Sequence, residues 1–193
     1  MTRGPAMPAT PEALDFLARR RSRPPKLLSA PAPDREALAR LLTVAARVPD
    51  HGKLEPWRFV VLERATLDRL APLLAEHVRA KGGDETAAEK ARSGFDSPLI
   101  VAVVSSPVDS AKIPLWEQQM SAGAVCLSLL NAALAAGWGA AWLTGPAAGD
   151  DFARAHLGVA EGERVVGLIH IGTGPDEVPD RPRPDVAART VFL

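Results

Sequence analysis

Apolar positions along this chain change rhythm several times, and each change marks an element. Thr10 and Pro11 form a helix cap with proline at the first helical position, and an amphipathic helix runs from there to about Arg20. The proline-rich "SRPPKLLSAPAP" (Ser22 to Pro33) then forces an extended loop. Asp34 caps a second helix, in which Leu38, Leu41, Leu42 and Ala45 recur at helical spacing up to a loop that begins at Arg47. "WRFVVL" (Trp57 to Leu62) reads as a strand. Thr66 to about Ala80 is a helix with Leu67, Leu70, Leu73 and Leu74 on its apolar face. "KGGDET" ends it, and a short helix follows.

"PLIVAVVSS" (Pro98 to Ser106) is a continuous apolar, β-branched run, the pattern of a strand covered on both faces. From Met120 to Gly149 the chain carries no charge, which is long enough to span a bilayer. Alanine and glycine dominate it, however, and Gly137, Gly139 and Gly145 interrupt it. Its flanks are Glu117, Asp150 and Asp151, without the Lys/Arg bias of a membrane span. The reading is a buried helix (about Pro114 to Ala136) and a strand (Trp138 to Thr144). Asp150 to His156 is a short helix and "ERVVGLIHIGT" (Glu163 to Thr173) another buried strand. Residues 174–193 form a proline-rich arm ending in Val191, Phe192 and Leu193, three apolar side chains that would seek a surface on another subunit; a disordered terminus is the alternative. Strands alternating with helices around one sheet predict a single layered domain, 1–193, of α/β or α+β class.

Composition narrows the function. With 193 residues, 47% apolar, 24% charged and formal net charge zero, the chain suits a soluble globular domain. Balanced charge argues against a nucleic-acid or membrane-surface binder, so any anion site must be local. The single cysteine, Cys126, excludes an intrachain disulfide. With an N-terminus lacking the apolar core of a secretory signal, it makes the cytoplasm the expected location. No cysteine–histidine cluster has zinc-ligand spacing, so no metal site is expected.

Familiar catalytic signatures are missing. "GWGAAW" puts Trp142 where a dinucleotide fingerprint needs its third glycine, and neither Ser105 nor Ser121 sits in a nucleophile elbow. Cys126 reads as core, His77 as solvated, His156 and His170 as structural. Three cationic stretches remain. In "ARRRS", Arg19, Arg20 and Arg21 suit a helix C-terminus, and with Ser22 they equally suit a phosphate clamp. "RPRP" adds Arg181 and Arg183. "RVPDHGKLEP" places Arg47, His51 and Lys53 in a loop stiffened by Pro49 and Pro56, directly ahead of a strand.

"RRRS", then "AARVPDHGKLEPWRFVVL", then "PLWEQQMSAGAVCLSLLNAALAAGWGAAWLTG" (Pro114 to Gly145) and "ERVVGLIHIGT" together resemble the FMN-dependent nitroreductase family, and within it the short YdjA-like subgroup of NAD(P)H nitroreductases. The resemblance implies an α+β fold: a three-layer α/β/α sandwich around a mixed, mostly antiparallel sheet. It implies a homodimer with FMN at the subunit interface and the arm packed on the partner. Arg20, Arg21 and Ser22 would hold the FMN phosphate and ribityl from one subunit, and Arg47 and His51 would reach the flavin from the other. Trp142, Leu143 and Thr144 would pass beside the ring, and Arg181 and Arg183 match a basic pair used on the phosphate. Two departures stand out: Leu143 replaces a basic residue of the close relatives, and the loop after Ser22 is about two residues longer. The implied activity is hydride transfer from NAD(P)H through FMN to nitro compounds, quinones or similar small acceptors. No side chain is required as a nucleophile. A flavin carrier or sensor on the same scaffold is the alternative.

Overall fold

The computed structural model describes residues 9–193. Helix α1 (Pro11–Arg19) opens on a proline whose missing N–H is one the first turn does not use, and Arg20 leaves it in extended conformation. The loop that follows holds one 3-10 turn at Pro25–Leu27 and is tied by a Ser29–Thr173 bridge to the end of the last strand. Asp34 accepts the Ala37 N–H at 2.7 Å and starts α2 (Arg35–Ala45). Strand β1 (Trp57–Glu63) leads into α3 (Arg64–Ala80), which begins two residues before the expected Thr66 and contains Pro72. Asp84 caps α4 (Glu85–Ser93) in the same manner as Asp34 caps α2. Then follow β2 (Leu99–Ser105), α5 (Leu115–Ala135), β3 (Gly139–Leu143), α6 (Asp150–His156) and β4 (Arg164–Gly172).

The strands form one sheet in the order β1-β2-β4-β3, and every neighbouring pair is antiparallel. The expected sheet was mixed; among the described residues it has no parallel pair. β2 and β4 take the centre, which explains why their sequences lack polar alternation: all of β2 is buried, and β4 nearly so. Between them the register slips at Val103/Val104, because β4 carries one extra residue, Val166, in a bulge.

Each face of the sheet has its own core. On one side Ile100, Ala102, Val104 and Leu168 meet Leu67, Leu70 and Leu74 of α3, with Phe95 and Phe152. On the other, Val101, Val103, Ile169 and Ile171 meet Leu38 and Leu41 of α2 and Val125 and Leu129 of α5. The result is a three-layer sandwich. α5 lies against the sheet as a core helix, and no described helix is long and apolar enough to cross a membrane. Cys126 is fully buried in it, and burial pushes its thiol up to about 12, which leaves it inert.

One polar side chain interrupts the centre of the sheet. His170 of β4 is 2% exposed, and its Nδ1 shares a 2.8 Å hydrogen bond with Ser97 Oγ. Burial lowers its pKa from 6.5 to about 4, so the ring stays neutral in the folded chain. At the sheet's rim, Arg58 grips Glu163 through two bonds of 2.8 and 2.5 Å and holds its carboxyl down to about 2. Both groups make the fold sensitive to acid. The unfolded chain protonates this histidine near pH 6.5 and the folded chain only near 4. Its contribution is therefore intact above pH 6.5 and is lost on acidification towards 4, by about 3 kcal/mol. Glu163 adds a further loss as the pH falls from about 4.5 to about 2. Urea unfolding between pH 7.5 and 4.5 is expected to show the first decline and His170→Gln to flatten it; a parallel slope in the variant would contradict this origin.

Candidate functional site

Where Arg20 leaves α1, the chain runs extended along the outer edge of β3, the last strand of the sheet. The Arg23 N–H donates to Ala140 O at 2.8 Å and fixes the register of this run. The Arg23 side chain is fully engaged in structure: Nε bonds Pro175 O at 2.9 Å, Nη2 bonds Asp176 O at 2.7 Å and Nη1 bonds Arg21 O at 3.0 Å. It thereby pins the start of the C-terminal arm beside the exit of α1. The approach is close because both partners are glycines. A Cβ on Gly139 would stand 2.7 Å from Gly174 Cα.

This pinning returns the arm to the arginines. Asp180 Oδ1 accepts from Arg21 at 2.7 Å and from Arg183 at 2.8 Å, and these bonds hold its carboxyl down to about 2. Arg20 is half-buried, and burial together with the charges of Arg183, Arg21 and Arg181 lowers its pKa from the usual arginine value. Its Nε is buried without a partner, and its one side-chain contact, Nη2 to Ser22 Oγ, is 3.5 Å long. Arg20, Arg21, Arg181 and Arg183 thus converge within one chain, and two of them bond the Asp180 carboxylate. A cavity of about 640 Å³ opens beside them, walled by Arg19, Arg20, Arg21, Arg23 and Leu134 together with the acidic Glu12, Asp15 and Asp176; Arg181 and Arg183 lie outside its lining. Its wall sets four arginines against three carboxylates, a net positive charge that suits an anion, while Arg20 Nε is wholly enclosed and would reach a ligand only if its side chain shifted.

Arg47 and His51 lie elsewhere. Arg47 follows α2 with an exposed side chain that makes no hydrogen bond to the described residues. The loop after it is tightly built. Asp50 accepts the N–H groups of Leu54 and Glu55 at 3.1 and 2.8 Å, so it caps the turn. Gly52, Lys53 and Glu55 all adopt left-handed backbone, with φ of 75°, 55° and 48°. α5 holds this loop from below. Glu117 Oε2 meets His51 Nδ1 at 2.7 Å; Ser121 Oγ donates to Pro49 O at 2.8 Å and accepts from Trp57 Nε1 at 3.2 Å. Between them Gln118 bonds Val108 at both its N–H and its C=O. Glu117, Gln118 and Ser121 had no role assigned from sequence, although their i, i+1, i+4 spacing in "WEQQMS" signals one face at the start of a helix.

Leu134 walls the cationic cavity while Glu117 grips the His51 loop. Seventeen residues of α5 separate them, roughly 25 Å at 1.5 Å per residue. One chain therefore does not bring His51 to the arginine cluster.

Trp142, Leu143 and Thr144 continue along the β3 edge past Arg23. The side chains of Trp142 and Leu143 part company there. The Trp142 indole lies over Gly167, where a Cβ would come within 2.2 Å of Nε1 and 2.9 Å of Cys126 Sγ, so it faces α5. Leu143 points to the opposite face, into a different cavity beside Leu168 and His170. Thr144 is exposed and lines that same cavity beside Leu143. Among the described residues, no group of His, Cys, Asp and Glu could hold a metal ion.

The nitroreductase family profile matches residues 17–173, most of the chain. The chain belongs to the nitroreductase family. A curated relative from Escherichia coli K12, named "Putative NAD(P)H nitroreductase YdjA", is 37% identical over 163 residues, covering 84% of this chain and 88% of the relative. The fold is shared with a nitroreductase-like family protein from Bacillus cereus (TM-score 0.76, 23% identity, 97% of this chain and 99% of that one). It is shared also with a nitroreductase from Bacteroides fragilis, solved with bound FMN (TM-score 0.71, 21% identity, 95% and 100% covered). In this nitroreductase the matched region ends at Thr173, one residue before the arm that carries Arg181 and Arg183. The arm's position therefore rests on local contacts, and Gly139 is the tightest. Gly139→Ala is expected to cost about 1–3 kcal/mol by overpacking against Gly174, read from urea unfolding; an unchanged midpoint would show that the two backbones have room to separate.

Proposed function

We propose that the chain is an FMN-dependent oxidoreductase that takes hydride from NAD(P)H and passes two electrons to a nitro compound, quinone or similar small acceptor. The observation that carries this reading is the convergence of Arg20, Arg21, Arg181 and Arg183 around the buried, unpartnered Nε of Arg20. A phosphomonoester carries about −1.5 to −2 charge near pH 7 and three acceptor oxygens, which guanidiniums pair in charge-assisted hydrogen bonds. Arg20, Arg21 and Ser22 would bind the phosphate and ribityl, and Arg181 and Arg183 would complete the clamp. The open edge at Trp142, Leu143 and Thr144 would border the ring with backbone donors and acceptors rather than with the two large side chains. FMN, when bound, supplies the hydride-accepting and electron-delivering centre, and the two substrates would alternate at one open cleft in a ping-pong cycle.

The second set of cations would come from a second copy. His51 stands roughly 25 Å along α5 from the first set, and Arg47 lies between Val44, bonded by Ser128, and Pro49, bonded by Ser121. α5 also leaves an apolar stripe uncovered: Trp116 is 62% and Met120 69% exposed, with Leu127 further along the same face. A homodimer would cover this stripe and bring Arg47 and His51 of one subunit towards the cleft of the other. The exposed end of the arm, where Phe192 is 93% exposed, would pack on the partner. Arg47 is permanently charged and would stabilise negative charge on a reduced ring. Glu117 orients His51 through Nδ1 and leaves Nε2 for a ligand.

Protein as purified should be yellow or take up FMN, and NADPH or NADH should bleach its flavin absorbance without oxygen. A colourless protein that ignores added FMN would overturn the reading, while a yellow one that oxidises neither nucleotide would be a flavin carrier. Arg21→Ala is expected to weaken FMN binding by about 1.5–3 kcal/mol, the loss of a charge-assisted hydrogen bond; an unchanged dissociation constant removes Arg21 from the site.

A further inference from the structure

The cavity that Leu143 enters lies on the other face of the sheet from α5. Its volume is about 410 Å³, and its walls come from α3, α4, β4 and the segment joining β3 to α6. Its lining is mostly apolar, with the polar side chains of Thr144, Lys90 and His170 among it. Fully buried Phe95 forms part of the wall, while small residues on α4, among them Ala87 and Ala91, leave the space open. Thr144 and Lys90 are exposed, and the buried polar group is His170, 2% exposed, towards the end of β4.

His170 is placed as a receptor group. Its Nδ1 is occupied by Ser97 Oγ at 2.8 Å, and Ser97 is itself buried, so the ring cannot turn without breaking that bond. Its Nε2 has no hydrogen-bond partner among the described residues and is not one of the wholly enclosed orphan atoms. On a ring so little exposed that lines the cavity, this nitrogen meets the cavity. A buried polar atom without a partner costs about 1–3 kcal/mol, so a site of this kind favours a guest that supplies one hydrogen bond and otherwise apolar surface. Burial keeps the ring neutral, which disfavours a carboxylate as that guest. The nearest cation, Lys90, is exposed at the rim.

We propose that this cavity is a second small-molecule site, separate from the cationic cleft, which takes a small neutral aromatic compound bearing one hydroxyl or carbonyl, with that group on His170 Nε2 and the ring against Phe95. The proposal stands on this cavity alone and does not rest on the flavin reading.

Two probes that differ by one hydroxyl test it: p-cresol and toluene, titrated into the full-length protein and followed by ligand-detected NMR and calorimetry. p-Cresol is expected to bind about ten-fold more tightly than toluene, the worth of one hydrogen bond to a desolvated partner. His170→Phe should erase that preference, and Ala91→Phe, which fills the space from α4, should remove binding of both. If Ala91→Phe does not fold, Ala87→Leu on the same helix serves the same purpose. Arg21→Ala should leave p-cresol binding unchanged, since it alters only the cationic cleft. No p-cresol binding to the folded parent, binding that survives a filled cavity, or binding lost with Arg21 would each overturn the proposal.

Discussion

The arrangement of this molecule depends on Arg23. Its backbone N–H adds a rung to the open edge of β3, and its guanidinium closes over two carbonyls at the start of the C-terminal arm. Three segments distant in sequence, the exit of α1, the edge strand and the arm, are thereby held at one point. Without that tie, Arg20 and Arg21 would end a short amphipathic helix, and Arg181 and Arg183 would sit on a solvated tail. Charge-assisted bonds to backbone carbonyls are among the stronger polar contacts a surface offers, and two of them here resist the repulsion between the arginines they gather.

That repulsion has a direction. Two of the four guanidiniums bond one carboxylate, Asp180, and Arg20 keeps an enclosed donor without a partner. An assembly like this is frustrated when alone, and frustration of this sort marks a place where binding matters more than stability. The same logic appears on the far face of the sheet, where His170 is satisfied at one nitrogen only. β3 stands between the two, with Trp142 turned to α5 and Leu143 turned away, so three consecutive residues belong to two different environments.

Much of the fold was legible in the chain because its cues are local. Asp34 and Asp84 cap helices, Gly137 ends one, and the unbroken apolar runs at Leu99–Ser105 and Arg164–Gly172 became the two central strands. The all-antiparallel order was not, since pairing partners leave no mark on strands buried on both faces. The site divided along the same line. Arginine clusters and the stiffened loop could be read as segments. Arg23 could not be told from its neighbours, because its role depends on carbonyls more than 150 residues away. Similarly, Glu117, Gln118 and Ser121 were legible as a motif, but their work as clamps for loops from two directions exists only in three dimensions.

The loop from His51 to Glu55 carries one last implication. Lys53 and Glu55 occupy left-handed backbone that costs an ordinary residue about 1 kcal/mol or more each, and Asp50 and α5 hold them there. A segment so constrained has few alternative shapes left to surrender. Whatever molecule settles against it meets a finished template, and the entropy that a floppy strand would forfeit on contact was already surrendered when the chain folded.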